Sequence, residues 1–578
     1  MKSRTNSPVP VRVAARVRFH VRERAMRVFQ ASALVIGVNA CARSAIAPIG
    51  AHRPEPIAPP MTIVDGPLTM PAAVVRTAPT LGETVRHIAD SATTAPMWRT
   101  ARWGLLIVDV TAGDTLLSRD ADRMFMPASN EKLLTAAVAM QQLGPDYRWR
   151  TPVMLRGRQR GDTWYGHLLV SGSGDPTFSD AMRGGVAASA FDSVIVALNA
   201  RGIKRIVGDV LAFGDAFTGP TTGFGWQADD FDASYSAAVD ELMFNEGELT
   251  VRVYGGAKLG APVRVVRMPT STYPPLSVKV ETRTPPTRAD RVEAAYDSVG
   301  GVLQLTGSVA VGDSASVTVA YRHPGDAFRA ALRERMIAGG VRVVAVPARK
   351  LSRRGQAKAD SVKLTAPSDT LIVLVSPPLR DVLPKMQKPS QNQIAELLFR
   401  TSGRLASGDG SADSARAVGV RTLAGFGVDA GEIAYRDGSG LSRHDYLTPR
   451  AIVKVLDAMR RSAWFDVYRD ALPLAGVDGT IANRMKGTAA AGNAHAKTGT
   501  VDKARALSGY VTTADGHLVL FSMLCNNYTV ANREIERVQD LLVATIAASR
   551  VGSGGDTRGR WHERHRAFVQ RRTAGGTA

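Results

Sequence analysis

Ser129 and Ser390 stand 261 positions apart, each opening a short motif that occurs once in the chain, and that interval limits the folds open to it. The first motif is Ser129-x-x-Lys132 and the second is Ser390-Gln391-Asn392; a third, Lys497-Thr498-Gly499, follows. Apolar residues recur at helical spacing from Leu133 to Val138, with Pro127 just upstream and Gly144 at the end. Ser129 therefore opens a buried helix, with Lys132 one turn along on the same face. A serine hydroxyl is a poor nucleophile at its own pKa and needs a base beside it. Lys132 can serve if its pKa is lowered, which burial and a second cation such as Lys497 would do. Backbone N–H groups at a helix start also favour developing negative charge. One helical lobe needs far fewer than 261 positions, so whole domains are inserted between the first two motifs.

The pattern along the chain fits that division. Gly104–Val110 and Thr115–Leu117, joined by a turn at Ala112-Gly113-Asp114, predict a β-hairpin. From roughly residue 150 to 370 the sequence alternates, as in Leu249–Tyr254 and Val317–Tyr321, between Gly and Pro turns. This predicts a strand-rich region with a few helices, including Asp326–Ala338. Helical character returns over Ser390–Arg404, strands over Ala506–Thr512 and Leu518–Cys525, and a closing helix runs from Asn532 to about Ser549. The fold class is α/β (α+β), an antiparallel sheet flanked by helices, with Lys497 on a cleft-edge strand.

The net charge is +21, but residues 1–50 hold nine Lys/Arg against one acid and residues 550–578 hold seven against two, so the ends carry most of it. No compact basic and aromatic array stands between them, which argues against nucleic acid as a partner. With 44% hydrophobic, 22% charged and 6% aromatic residues, the composition is that of folded water-soluble domains. Arg-rich sequence through Arg27, the apolar run Val28–Val38 and then Asn39-Ala40-Cys41 read as an export signal, too short for a comfortable membrane span. Cys41 fits either a lipidated first residue of the mature chain or ordinary cleavage. Cys525 lies in an apolar run and reads as a buried strand thiol. No residue set has metal-ligand spacing and no Gly loop suits a phosphate, so neither metal nor cofactor is expected. His444 beside Arg443 offers another general base, although a surface loop histidine is the simpler reading.

Around the motifs, Ser171-Gly172-Ser173-Gly174-Asp175-Pro176, Asp437-Gly438-Ser439-Gly440-Leu441-Ser442-Arg443 and Leu507-Ser508-Gly509-Tyr510-Val511 resemble the class C low-molecular-mass penicillin-binding proteins. These are serine D-alanyl-D-alanine carboxypeptidases and endopeptidases. The resemblance, over about residues 90–547, implies a β-lactamase/transpeptidase-like catalytic domain, acylation by β-lactams, and peptidoglycan stem peptides as substrates in the periplasm or cell envelope. The implied domains are an export signal at 1–41, a Pro/Ala-rich tether at 42–85, the catalytic domain at 86–155 and 370–549, an inserted domain at 156–260 and 310–369, a nested one at 261–309, and a basic tail at 550–578.

Motif by motif, the resemblance implies that Ser129 is acylated, Lys132 is its base, and Ser390 relays a proton to the leaving group. Asn392 would hold the substrate amide and Lys497 complete the electrostatics. Thr498 and Thr500, around Gly499, would bind the terminal carboxylate. The oxyanion hole would be the N–H groups of Ser129 and Thr500. Trp226-Gln227-Ala228-Asp229-Asp230 and Tyr235 resemble the family's diaminopimelate-binding segment, with Asp230 for the side-chain amine and Arg443 for its carboxylate. Gln391 departs from the commoner Asp or Asn, and Val501-Asp502-Lys503-Ala504-Arg505 brings unusual charge after the third motif. A β-lactam-binding protein without turnover, and a β-lactamase-like hydrolase on the same scaffold, remain open alternatives.

Overall fold

The computed structural model describes residues 79–284, 291–297, 299, 301–345 and 369–551. The export signal with Cys41, nearly all of the tether and nearly all of the basic tail lie outside the described residues. No helix among the described residues is long and apolar enough to cross a membrane.

Five antiparallel strands form the central sheet, in the spatial order His495–Val501, Ala504–Thr512, Leu518–Asn526, Arg102–Asp109 and Asp114–Arg119. Its inner strands are apolar on both faces because both are covered. Leu106, Ala506, Tyr510, Leu520 and Leu524 face helices Glu131–Leu143, Asn392–Ser407 and Pro449–Arg460. Leu105, Ile107, Leu507, Phe521 and Met523 face helices Leu81–Thr93 and Asn532–Ala548. The period-two alternation thus builds two cores around one sheet. The strand carrying Lys497 is an edge, as the sequence predicts.

The first helix begins at Leu81, inside the expected tether, because Thr80 and Glu83 form a capping box that satisfies its opening N–H groups. The expected insert boundaries shift as well. Strand Arg150–Arg160 runs across position 155 and pairs with Asp369–Val375 in a six-stranded sheet separate from the central one. Outgoing and returning chains become adjacent strands because each supplies the other's ladder hydrogen bonds, and beside them the Ser376 N–H donates to the Trp149 carbonyl while the Trp149 N–H donates to Ser376 Oγ.

Residues 261–309, expected to form a nested domain, share a core with strands on either side of them. Strands Glu248–Tyr254 and Ser314–Ala320 pair with each other, and Leu249, Val251, Val253 and Val319 share a core with Val292, Leu303 and Leu305. Strands Leu276–Arg283, Val292–Tyr296 and Leu303–Ala310 form a separate small sheet.

Helices Asn392–Ser407 and Ala412–Gly425 pack closely at Gly403, where an added Cβ would meet the Ala415 Cα at 2.6 Å. Gly403→Ala is expected to push these helices apart and lower the unfolding free energy by about 1–3 kcal/mol, as measured by urea denaturation.

Candidate active site

Ser129 occupies a single 3₁₀ turn, Ala128–Asn130, that runs straight into helix Glu131–Leu143. Ala128 enters it at φ 48°, a left-handed conformation that a non-glycine residue holds at a cost. One turn on, the Lys132 amine reaches Ser129 Oγ at 2.9 Å, Asn392 Oδ1 at 2.6 Å and the Ser439 carbonyl at 2.7 Å. Lys132 is wholly buried. Burial pushes its pKa down to about 7, against the opposing pull of Asp437, Glu396 and Glu131. Burial and then Lys132 hold the Lys497 amine well below the usual lysine range.

Lys497 Nζ donates to Ser390 Oγ at 2.8 Å and to the Thr498 carbonyl at 3.0 Å. Ser390 lies just outside helix Asn392–Ser407, at φ 66°. The two halves of the site are fastened together. Asn130 Nδ2 donates to the Lys497 carbonyl at 2.9 Å, and an added Cβ on Gly499 would stand 2.4 Å from the Pro127 carbonyl. Glycine is required there because the edge strand runs against the turn that carries Ser129.

The substrate-binding candidates adjoin this centre. Thr498 Oγ1 donates to Thr480 Oγ1 at 2.8 Å, and Thr500 Oγ1 accepts from Arg505. Tyr235 donates its phenol proton to Asp230 Oδ1 at 2.6 Å. Burial, followed by this bond and the Asp230 charge, pushes the phenol pKa up to about 12. Arg443 Nη1 donates to the Asp502 carbonyl at 3.0 Å in the turn after the edge strand. His444, the alternative base, packs its ring beside Phe224, with centroids 5.1 Å apart.

Asn392, expected to hold the substrate amide, is engaged at both ends of its own side-chain amide. Its Oδ1 accepts from Lys132, and its Nδ2 donates to the Tyr235 carbonyl at 2.7 Å. Next to it, Gln393 Nε2 donates to the Ser234 carbonyl at 3.1 Å. The inserted segment thus supplies backbone acceptors that hold the second motif.

Sequence reasoning gave no role to four buried acids: Glu131, Glu396 and Asp437, which act on Lys132, and Asp445, on which Asp437 and Glu131 act. Desolvation and mutual repulsion raise Glu131 and Asp445 well above the carboxylate range and Glu396 to about 8. Asp437 accepts from the Ser439, Gly440 and Ser442 N–H groups and from Trp226 Nε1, at 2.7–3.0 Å. Those bonds fold the loop that aims the Ser439 carbonyl at Lys132. Two signals were available: Glu131 adjoins Lys132, and Glu396 follows Asn392 by one helical turn.

A serine and a buried near-neutral lysine on one helix start, beside a second buried lysine on a sheet edge, define a serine hydrolase of the β-lactamase and transpeptidase fold. The chain belongs to the D-Ala-D-Ala carboxypeptidase 3 (S13) family, whose sequence model matches residues 85–548. It is 32% identical over 464 residues to a D-alanyl-D-alanine carboxypeptidase of Actinomadura sp. strain R39, covering 77% of this chain and 81% of that protein. Penicillin binding protein 4 of Haemophilus influenzae shares its fold, with a TM-score of 0.65 at 21% identity over 80% of this chain and 99% of that one. The same neighbour complexed with a β-lactam aligns with a TM-score of 0.60 at 22% identity, over 79% and 98% of the two chains.

Asp437→Ala would leave four donors unpaired in the interior. It is expected to destabilise the protein by at least about 3 kcal/mol, which thermal unfolding followed by circular dichroism will show as a clearly lower Tm.

Proposed function

We propose that the protein is a serine-type D-Ala-D-Ala carboxypeptidase and DD-endopeptidase that cleaves peptidoglycan stem peptides through an acyl-enzyme at Ser129. The carrying observation is the Lys132 amine, buried, with a pKa of about 7, and 2.9 Å from Ser129 Oγ. When neutral, that amine gives its two protons to Asn392 Oδ1 and the Ser439 carbonyl, and its lone pair faces the Ser129 hydroxyl. Ser129 Oγ attacks the carbonyl of the penultimate D-alanine and passes its proton to Lys132. The backbone N–H groups of Ser129 and Thr500 receive the oxyanion. As the C–N bond breaks, Ser390 hands its proton to the departing D-amino acid and takes in its place the proton that Lys132 removed from Ser129, while Lys497 holds the Ser390 hydroxyl in position for that relay. Water then hydrolyses the Ser129 ester and restores the hydroxyl.

Asn392 orients Lys132 and joins it to the insert. Thr498 and Thr500 take the terminal carboxylate, while Asp230, Tyr235 and Arg443 receive the amine and carboxylate of a diaminopimelate side chain. The central sheet with its flanking helices is the catalytic domain and contributes Arg443 to the side-chain pocket, and the outer insert contributes Asp230 and Tyr235. A β-lactam occupies the same centre, in keeping with the β-lactam complex of the H. influenzae neighbour. The substrate lies outside the cytoplasmic membrane, and the N-terminal export signal fits work in the cell envelope.

Intact mass after incubation with benzylpenicillin tests the nucleophile. The parent is expected to gain one acyl adduct and Ser129→Ala none; an undiminished adduct in Ser129→Ala would refute the assignment. The base is tested by pH. Protonated Lys132 has no lone pair, so the acylation rate should climb as pH rises through about 7 and fall about tenfold per unit below it. A stopped-flow profile flat between pH 5.5 and 8 would rule Lys132 out.

A further inference from the structure

Arg505 lies on strand Ala504–Thr512, directly opposite Thr500 in the ladder with the active-site edge strand. Residues opposed in this way present their side chains on one face. Its Nη1 donates to Thr500 Oγ1, and its Nη2 donates to Glu536 Oε1 at 2.6 Å, on helix Asn532–Ala548. The third guanidinium donor, Nε, is buried without a hydrogen-bond partner, and the side chain is only 17% exposed.

The chemistry of that contact is directional. A hydroxyl that accepts from a cation keeps its own proton for another acceptor, and the cation makes it a stronger donor. Thr498, two positions back on the same strand, continues the row, its hydroxyl 2.8 Å from that of Thr480 in the 3₁₀ turn Gly479–Ile481. The face therefore offers the Thr500 hydroxyl as a donor backed by a guanidinium, beside the Thr498–Thr480 pair. Such a surface recognises a carboxylate.

We propose that Arg505 is a positioning and specificity-determining residue that acts through Thr500 to select substrates ending in a free carboxylate. This rests on the reading that Thr498 and Thr500 take the substrate terminus. The competing role is mechanical, a clamp in which Arg505 and Glu536 merely fasten the sheet to the last helix.

Steady-state kinetics on a peptide ending in D-Ala-D-Ala and on the same peptide ending in D-alaninamide separate the two. Arg505→Gln should raise KM for the free acid about tenfold with little change in kcat, and leave the amide within about twofold. Arg505→Lys should recover part of the loss. Glu536→Gln breaks the ion pair but keeps the guanidinium, so KM for the acid should hold or fall. Equal impairment of both substrates by Arg505→Gln and Glu536→Gln would establish the clamp and overturn the proposal, as would unchanged kinetics in Arg505→Gln. No turnover of either peptide by the parent would overturn the peptidase reading and this proposal together.

Discussion

The buried amine of Lys132 is the constraint around which the rest is arranged. A lysine with no access to water loses the solvation that keeps it charged, so its pKa falls toward neutrality. Left alone in an apolar core it would fall further and have no fixed direction. Here two acceptors from distant parts of the chain, Asn392 and the Ser439 carbonyl, fix the direction. Buried acids offset part of the desolvation, leaving an amine whose pKa lies at about 7. The acids share that burden, since four carboxylates in one dry region cannot all be ionised.

The inserts serve this arrangement as well as enlarging the molecule. The chain leaves the catalytic helices near Trp149 and returns at Ser376, where backbone and side-chain bonds tie the two crossings together. Between them it places Ser234 and Tyr235 against the helix that starts at Asn392. A backbone carbonyl from the insert thereby occupies one end of the amide that orients the base. Tyr235 also bonds Asp230, so the segment holding the second motif also carries the candidate side-chain pocket.

Much of this was legible in the chain. Spacing put Ser129 and Lys132 on one helix face and the third motif on a strand, and the family resemblance joined Ser390, Asn392 and Lys497 to them in one centre. The late strands and closing helix were legible for a similar reason, since their apolar periods are long and uninterrupted. Boundaries were less so. Position 155 falls inside a strand whose partner lies more than two hundred residues away, and the start at Leu81 turns on a capping box at the end of a Pro/Ala-rich stretch.

Residue types and local spacing determine that this protein carries a serine with a lysine one turn along, a lysine on a strand, and room between them for inserted domains. Those properties depend on neighbours within a few positions, and local chemistry reaches that far. How burial lowers the pKa of both lysines, which acids gather under Lys132, and what occupies the Asn392 amide were decided only by tertiary structure. Each depends on desolvation and on partners up to several hundred residues apart, and burial is a property of the packed molecule.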